Sequence, residues 1–205
     1  MNYLGLDLAG VYTRPTGVCI LNQKLRVTCS VVHSDAEILS IVKRCGTKVV
    51  AIDAPLALPL GRHCLGEHCR GRSHFRACDL VLREMGIRFF PITLGPMRTL
   101  TSRGMRLLKK IERLHVGVIE TYPGAAQDLL GIPRKQYGLG ELQESLKKLG
   151  CTGDILTRNL TGDELDAINC AMVAKQYGEG HYLAIGDPSE ILMILPRTWK
   201  APTKP

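Results

Sequence analysis

The chain has no run of eighteen or so apolar residues, so no transmembrane helix is expected. Its opening, Met1 to Asp7, carries no basic segment, and Asp7 interrupts the apolar residues, so a secretory signal is not expected either. There is no CxxC pair and no GxSxG elbow, which speaks against a standard zinc finger and a serine hydrolase. Internal repeats and low-complexity blocks are absent. Acids are scarce in the middle: between Arg62 and Arg113 only Glu67, Asp79, Glu84 and Glu112 interrupt a long series of Arg and Lys.

What is present fits a single globular domain over 1–196, with an insertion at about 56–114 and a loose tail at 197–205. The apolar fraction is 45%, ordinary for a packed core. Eight cysteines are spread mostly through apolar segments, where a free thiol behaves as a small hydrophobe; this points to the reducing cytoplasm. A net charge of +8, concentrated in the middle, favours an anionic partner, nucleic acid above all.

The coarse pattern is β-β-β-α-β, an insertion, then β-α. "NYLGLDLAG" (2–10), "TGVCILN" (16–22) and "LRVTCSVV" (25–32) read as a three-stranded antiparallel meander. "SDAEILSIVKRCG" has helical spacing, with Ser34 as N-cap, Glu37 three residues on and Gly46 as the stop. "TKVVAIDAP" (47–55) and "VGVIETYPG" (116–124) read as buried parallel strands. Helices are expected near 78–85, 97–114, 125–130 and 141–149, with a final long helix from Thr161 to about Tyr177. "HYLAIGD" is a candidate edge strand. This is an α/β fold: a mixed sheet flanked by helices.

Asp7, Asp53 and Glu120 each lie at or near the carboxyl end of an apolar strand. Burying an unpaired carboxylate costs several kcal/mol, so each needs a partner. In open α/β sheets the carboxyl ends of the strands form the ligand crevice. The segment "TGDELDAIN" adds two more acids. Thr161 and Glu164 fit a capping box, and Asp163 suits the helix dipole. Asp166 lies beyond the first turn, where neither reason holds. It shares a side of the helix with Asp163, and that side continues through Ala167, Cys170, Ala171 and Ala174. Small residues there, with Gly5 on the first strand, would let the helix approach the sheet and bring both acids beside Asp7 and Asp53. Four such carboxylates would bind a hard cation, Mg²⁺ or Mn²⁺. Two such ions about 3.5–4 Å apart would suit phosphodiester hydrolysis.

The segments "GLDLAG", "VVAIDAP", "RACDLVLREMGI", "ETYPGA", "LGIPRK" and "TGDELDAINCAMVA", in this order over roughly 3–196, resemble the family known as domain of unknown function 429. That family is predicted to be nucleases of ribonuclease H-like fold. The resemblance implies that Asp7 and Asp53 match acids on the first and fourth strands, and that Asp163 and Asp166 match the paired acids on the last helix of the resolvase branch. Glu120 has no counterpart in the simplest members and would be a further ligand or a base. No histidine lies between His115 and His181 to act as a proton shuttle near the last helix. The resolvase likeness also leaves a homodimer open.

The phosphate backbone would be held by Arg70, Arg72, Arg76, Arg103, Arg106, Lys109 and Lys110, with Arg favoured for bidentate contacts. His63, Cys64, His68, Cys69, His74 and Cys78 could instead bind a structural Zn²⁺, although the Cys-x4-Cys-x8-Cys spacing matches no standard finger. Two further functions stay open from sequence. One is a nucleic-acid-binding module without catalysis. The other is an ATP-binding phosphotransferase of the actin and hexokinase type, suggested by "DLAG".

Overall fold

In a computed structural model, which describes residues 1–66, 69 and 73–199, the strands form one mixed sheet. β1 (Asn2–Asp7), β2 (Thr16–Asn22) and β3 (Arg26–Val32) are the expected meander. α1 (Asp35–Cys45) crosses over to β4 (Val49–Asp53), which lies parallel to β1. Ser34 and Glu37 close the capping box of α1, and Gly46 ends it in the left-handed conformation at φ 63°.

The insertion carries α2 (Ala77–Glu84) and the basic α3 (Gly95–Glu112). β5 (Gly117–Thr121) then pairs parallel with β4. α4 (Pro123–Leu130), α5 (Leu139–Lys148), the two-residue β6 (Thr152–Gly153) and the short α6 (Asp154–Thr157) follow. The long α7 (Gly162–Gly178) precedes an antiparallel pair, β7 (Tyr182–Ile185) and β8 (Met193–Pro196). The strand order is β6-β3-β2-β1-β4-β5-β8-β7. β7 is the edge strand expected from "HYLAIGD". β8 joins the sheet parallel to β5, a pairing the sequence pattern did not announce.

Strand alternation sends side chains to two faces. Tyr3, Ala51 and Ile119 pack with α7 and α5 on one face. Leu4, Leu6, Val50 and Ile52 pack with α1 and α3 on the other. α7 is the helix that shapes the site. A Cβ added to Gly5 would lie 2.1 Å from the Ala167 carbonyl oxygen and 2.3 Å from the Ala171 nitrogen. One added to Gly17 would lie 2.0 Å from the Asp163 carbonyl oxygen. The helix therefore rests backbone-to-backbone on β1 and β2. Ala167, Cys170, Ala171 and Ala174 are all fully buried along this seam, as the small-residue stripe implied. A helix that contacts protein on most sides has no strongly polar face, and α7 is buried at nearly every position from Glu164 to Ala174.

Candidate active site

Asp7 and Asp53 are direct partners in the parallel β1–β4 register, so both project from the α7 face of the sheet. Thr121 stands next in register, opposite Asp53. α7 delivers Asp163 and Asp166 above them. The Thr161–Glu164 capping box sets where the helix begins, and Gly17, paired with Asp7, gives it room.

One cation, not foreseen, sits among these acids. The Lys135 ammonium lies 2.7 Å from Asp166 Oδ2, 3.3 Å from Asp7 Oδ2 and 3.8 Å from Asp163 Oδ1. Gln127 on α4 is buried and donates from Nε2 to Asp166 Oδ1 at 2.6 Å. Asp166 is thus held from both sides. Burial pushes the Asp7 carboxyl up to about 7; Lys135 opposes this, and Asp166 and Asp163 add to it. Burial, then the charges of Asp7 and Asp166, hold Asp53 well above the usual carboxylate range. Burial pulls the Lys135 ammonium down, but Asp7 and Asp166 outweigh this and keep it firmly protonated. One lysine therefore does not offset the burial and mutual repulsion that raise Asp7 and Asp53. In this arrangement the carboxylates gather around Lys135, and among the described residues no three His, Cys, Asp or Glu side chains are grouped closely enough to hold a metal ion.

Glu120 does not join the cluster. It lies one residue before Thr121 on β5, so strand alternation turns it to the opposite face. There it is buried, with Oε1 2.6 Å from Arg76 Nη2 and Oε2 accepting from Leu56 N at 2.8 Å. A base or ligand role for Glu120 does not fit that position. Arg76 is committed too: it also pairs with Asp79 at 3.1 Å and is 2% exposed, so it cannot clamp a phosphate.

Arg103 is likewise 1% exposed. Its guanidinium donates to Asp35 Oδ1 and to the carbonyls of Ala9 and His33, and lies 4.5 Å from the centre of the Tyr12 ring. It ties the loop after β1 to α3 and is not free for nucleic acid. Lys110 pairs with Asp35 at 2.8 Å, while Arg106 and Lys109 are exposed. Arg70, Arg72 and His68 lie outside the described residues. The zinc reading fails for Cys78, which is buried with Leu82 and Ile87. Cys64 and Cys69 stand with their sulfurs 3.0 Å apart, and His74 is bonded to Thr93.

Lys135 and Gln127 are the residues sequence reasoning missed. Lys135 ends the "LGIPRK" segment, but a lone lysine is the commonest of surface residues. Gln127 has no local pattern that marks it. Only the fold shows that both face Asp166.

The fold is α/β, a mixed sheet flanked by helices, whose first strand and adjoining parallel strand carry acids at their carboxyl ends, with two more acids on the last long helix. The chain belongs to the family described as "Protein of unknown function (DUF429)", whose sequence model matches residues 5–191. No curated protein matches it. Among solved structures it is similar to the Thermus thermophilus RuvC structure, at 14% identity and a TM-score of 0.46, over 88% of this chain and 97% of that one.

Proposed function

We propose that the chain is a divalent-metal-dependent nuclease that hydrolyses phosphodiester bonds of DNA or RNA. The observation that carries this is the convergence of Asp7, Asp163 and Asp166 on one ammonium, with Asp53 beside Asp7 in register. The donor set fits a hard dication: all four are carboxylates, and a bound cation would relieve the burial and repulsion that raise Asp7 and Asp53. Lys135 is 43% exposed on a flexible stem, so its ammonium can swing out toward solvent.

Asp7, Asp53, Asp163 and Asp166 would hold Mg²⁺ or Mn²⁺. Bound there, such an ion would lower the pKa of a water and neutralise charge developing on the phosphate oxygens. The chain's own part is positioning. Gln127 fixes one oxygen of Asp166, and the β1–β4 register fixes the spacing of Asp7 and Asp53. In the reaction, a water oxygen would bond to phosphorus as that water gives up a proton, the P–O ester bond would break, and the leaving oxygen would take up a proton. Lys135, once displaced from the acids, would remain the nearest lysine able to reach that oxygen from the groove.

An open groove of about 580 Å³ leads to the acids, lined by Asp7, Gly10, Arg14, Thr99, Lys135 and Asp163 among others. Arg98 and Arg106 border a neighbouring groove that shares Gly10 and Thr99 with it. A phosphate backbone lying along these cations would reach the cluster. The test is cleavage of a panel of single-stranded, duplex and branched DNA and RNA with Mn²⁺. Cleavage should appear with the native chain and fall at least about 100-fold in Asp7→Ala and Asp166→Ala. No cleavage with any divalent ion, or full cleavage by both variants, would overturn the reading.

A further inference from the structure

Beside the carboxylate cluster lies a cavity of about 220 Å³ that the proposed hydrolysis does not use. Its walls are mainly apolar, with Leu82, Phe89, Phe90, Ile92, Met97 and Leu100. One end reaches Asp53. Thr121 lines it as well. Phe90 is 68% exposed, an unusual setting for a phenyl ring beside a cavity.

A second hollow, a groove of about 670 Å³, shares Phe89, Phe90 and Tyr122 with the cavity. Arg83, Arg88 and Arg134 border it. Arg83 lies 5.7 Å from the centre of the Phe75 ring, and Arg134 lies 5.7 Å from that of Tyr122. Arg134 is engaged by Asp128, whereas Arg83 and Arg88 are exposed and enter no ion pair among the described residues. Cations interleaved with aromatic faces along a groove are what a single strand needs: charge for its backbone and ring faces for its bases. The cavity is smaller than the roughly 300–1,000 Å³ of drug-sized ligand sites, so it suits one flat ring system and excludes a duplex.

We propose that this cavity receives one unpaired nucleobase of the strand to be cut, while the adjoining phosphates lie on Arg83 and Arg88. The inference rests on the nuclease reading for the place of the scissile phosphate, at Asp7 and Asp53. Phe89 and Phe90 supply the stacking surface. A base inside an intact duplex cannot enter, so the substrate class is single-stranded or locally unpaired nucleic acid.

Binding in EDTA separates this inference from the chemistry. Fluorescence anisotropy would compare a short single-stranded oligonucleotide, its duplex, and a series in which one abasic site is walked along the strand. The single strand should bind more tightly than the duplex, and one abasic position should weaken binding about tenfold, in line with loss of a stacked base. Phe90→Ala should weaken the base-bearing strand by a similar factor and leave the weakest abasic strand unchanged; Phe90 is exposed, so the variant should fold. Arg88→Gln should weaken both strands equally. Indifference to every abasic position, equal loss by Phe90→Ala on both strands, or duplex binding as tight as single-strand binding would overturn the proposal. Cleavage without base dependence would remove the pocket and keep the nuclease. Base-dependent binding with no cleavage under Mn²⁺ would do the reverse.

Discussion

Replacing Asp7 by Asn should flatten the pH dependence of stability. The folded chain holds Asp7 at about 7, against 3.8 for a free aspartate, because burial penalises its charge. An acid whose folded pKa is raised contributes stability at low pH, and that contribution is lost as pH rises from about 3.8 through about 7. Roughly three units at about 1.4 kcal/mol each give about 4 kcal/mol in total. About 3 kcal/mol of that falls between roughly pH 5 and pH 8. The side chain is only 14% exposed, so solvent screening takes little from the figure. The assay is urea unfolding of both chains in EDTA at several pH values. The stability of Asp7→Asn relative to native should rise by about 3 kcal/mol across that range, or roughly 6–12 °C in Tm for a chain this size. Comparing two pH values cancels whatever Asn itself costs. A constant difference, or a native chain that gains on the variant as pH rises, would refute the reasoning. It would mean that the Lys135 contact, not burial, governs Asp7.

Four other variants probe neighbouring parts. Lys135→Met should cost about 1–3 kcal/mol in EDTA by leaving the acids unneutralised, and millimolar Mn²⁺ should restore most of the loss by binding only the folded state; thermal melts with and without Mn²⁺ read this. Gly5→Ala should cost about 1–3 kcal/mol in urea unfolding, since its new methyl group meets helix backbone that cannot step aside. Arg103→Met should cost about 3–5 kcal/mol by leaving Asp35 with the partly exposed Lys110 and a long bond from the Tyr12 hydroxyl. The same change should leave the salt dependence of nucleic-acid binding untouched, whereas Arg106→Gln should lower its slope by about one.

Much of this arrangement could be read from residues alone. The meander, the helix caps at Ser34 and Thr161, and the acids ending β1 and β4 all follow from local patterns. So does the odd position of Asp166, which no cap explains. Glu120 was misplaced for a reason the sequence also contained. It sits one step short of the residue in register with Asp53, so alternation sends it to the other face. The register itself depends on which residues of β4 and β5 pair, and that is settled only in the sheet. Arg76 and Arg103 misled because charge counts ignore burial; a guanidinium with several acceptors can be taken inside. Lys135 and Gln127 carried no signal because their role depends on a contact with an element some thirty to forty residues away. The two-residue β6 and the four-residue β8 are too short for any periodicity to announce.

The seat of α7 on Gly5 and Gly17 makes the distance across the acidic cluster a property of main chain against main chain. No side-chain rotamer intervenes that could relax or be repacked. The gap between strand acids and helix acids is thereby set by van der Waals contact of peptide groups, as stiff a ruler as a protein has. Variation in the surrounding loops can change what reaches the cluster without altering the gauge of the cluster itself.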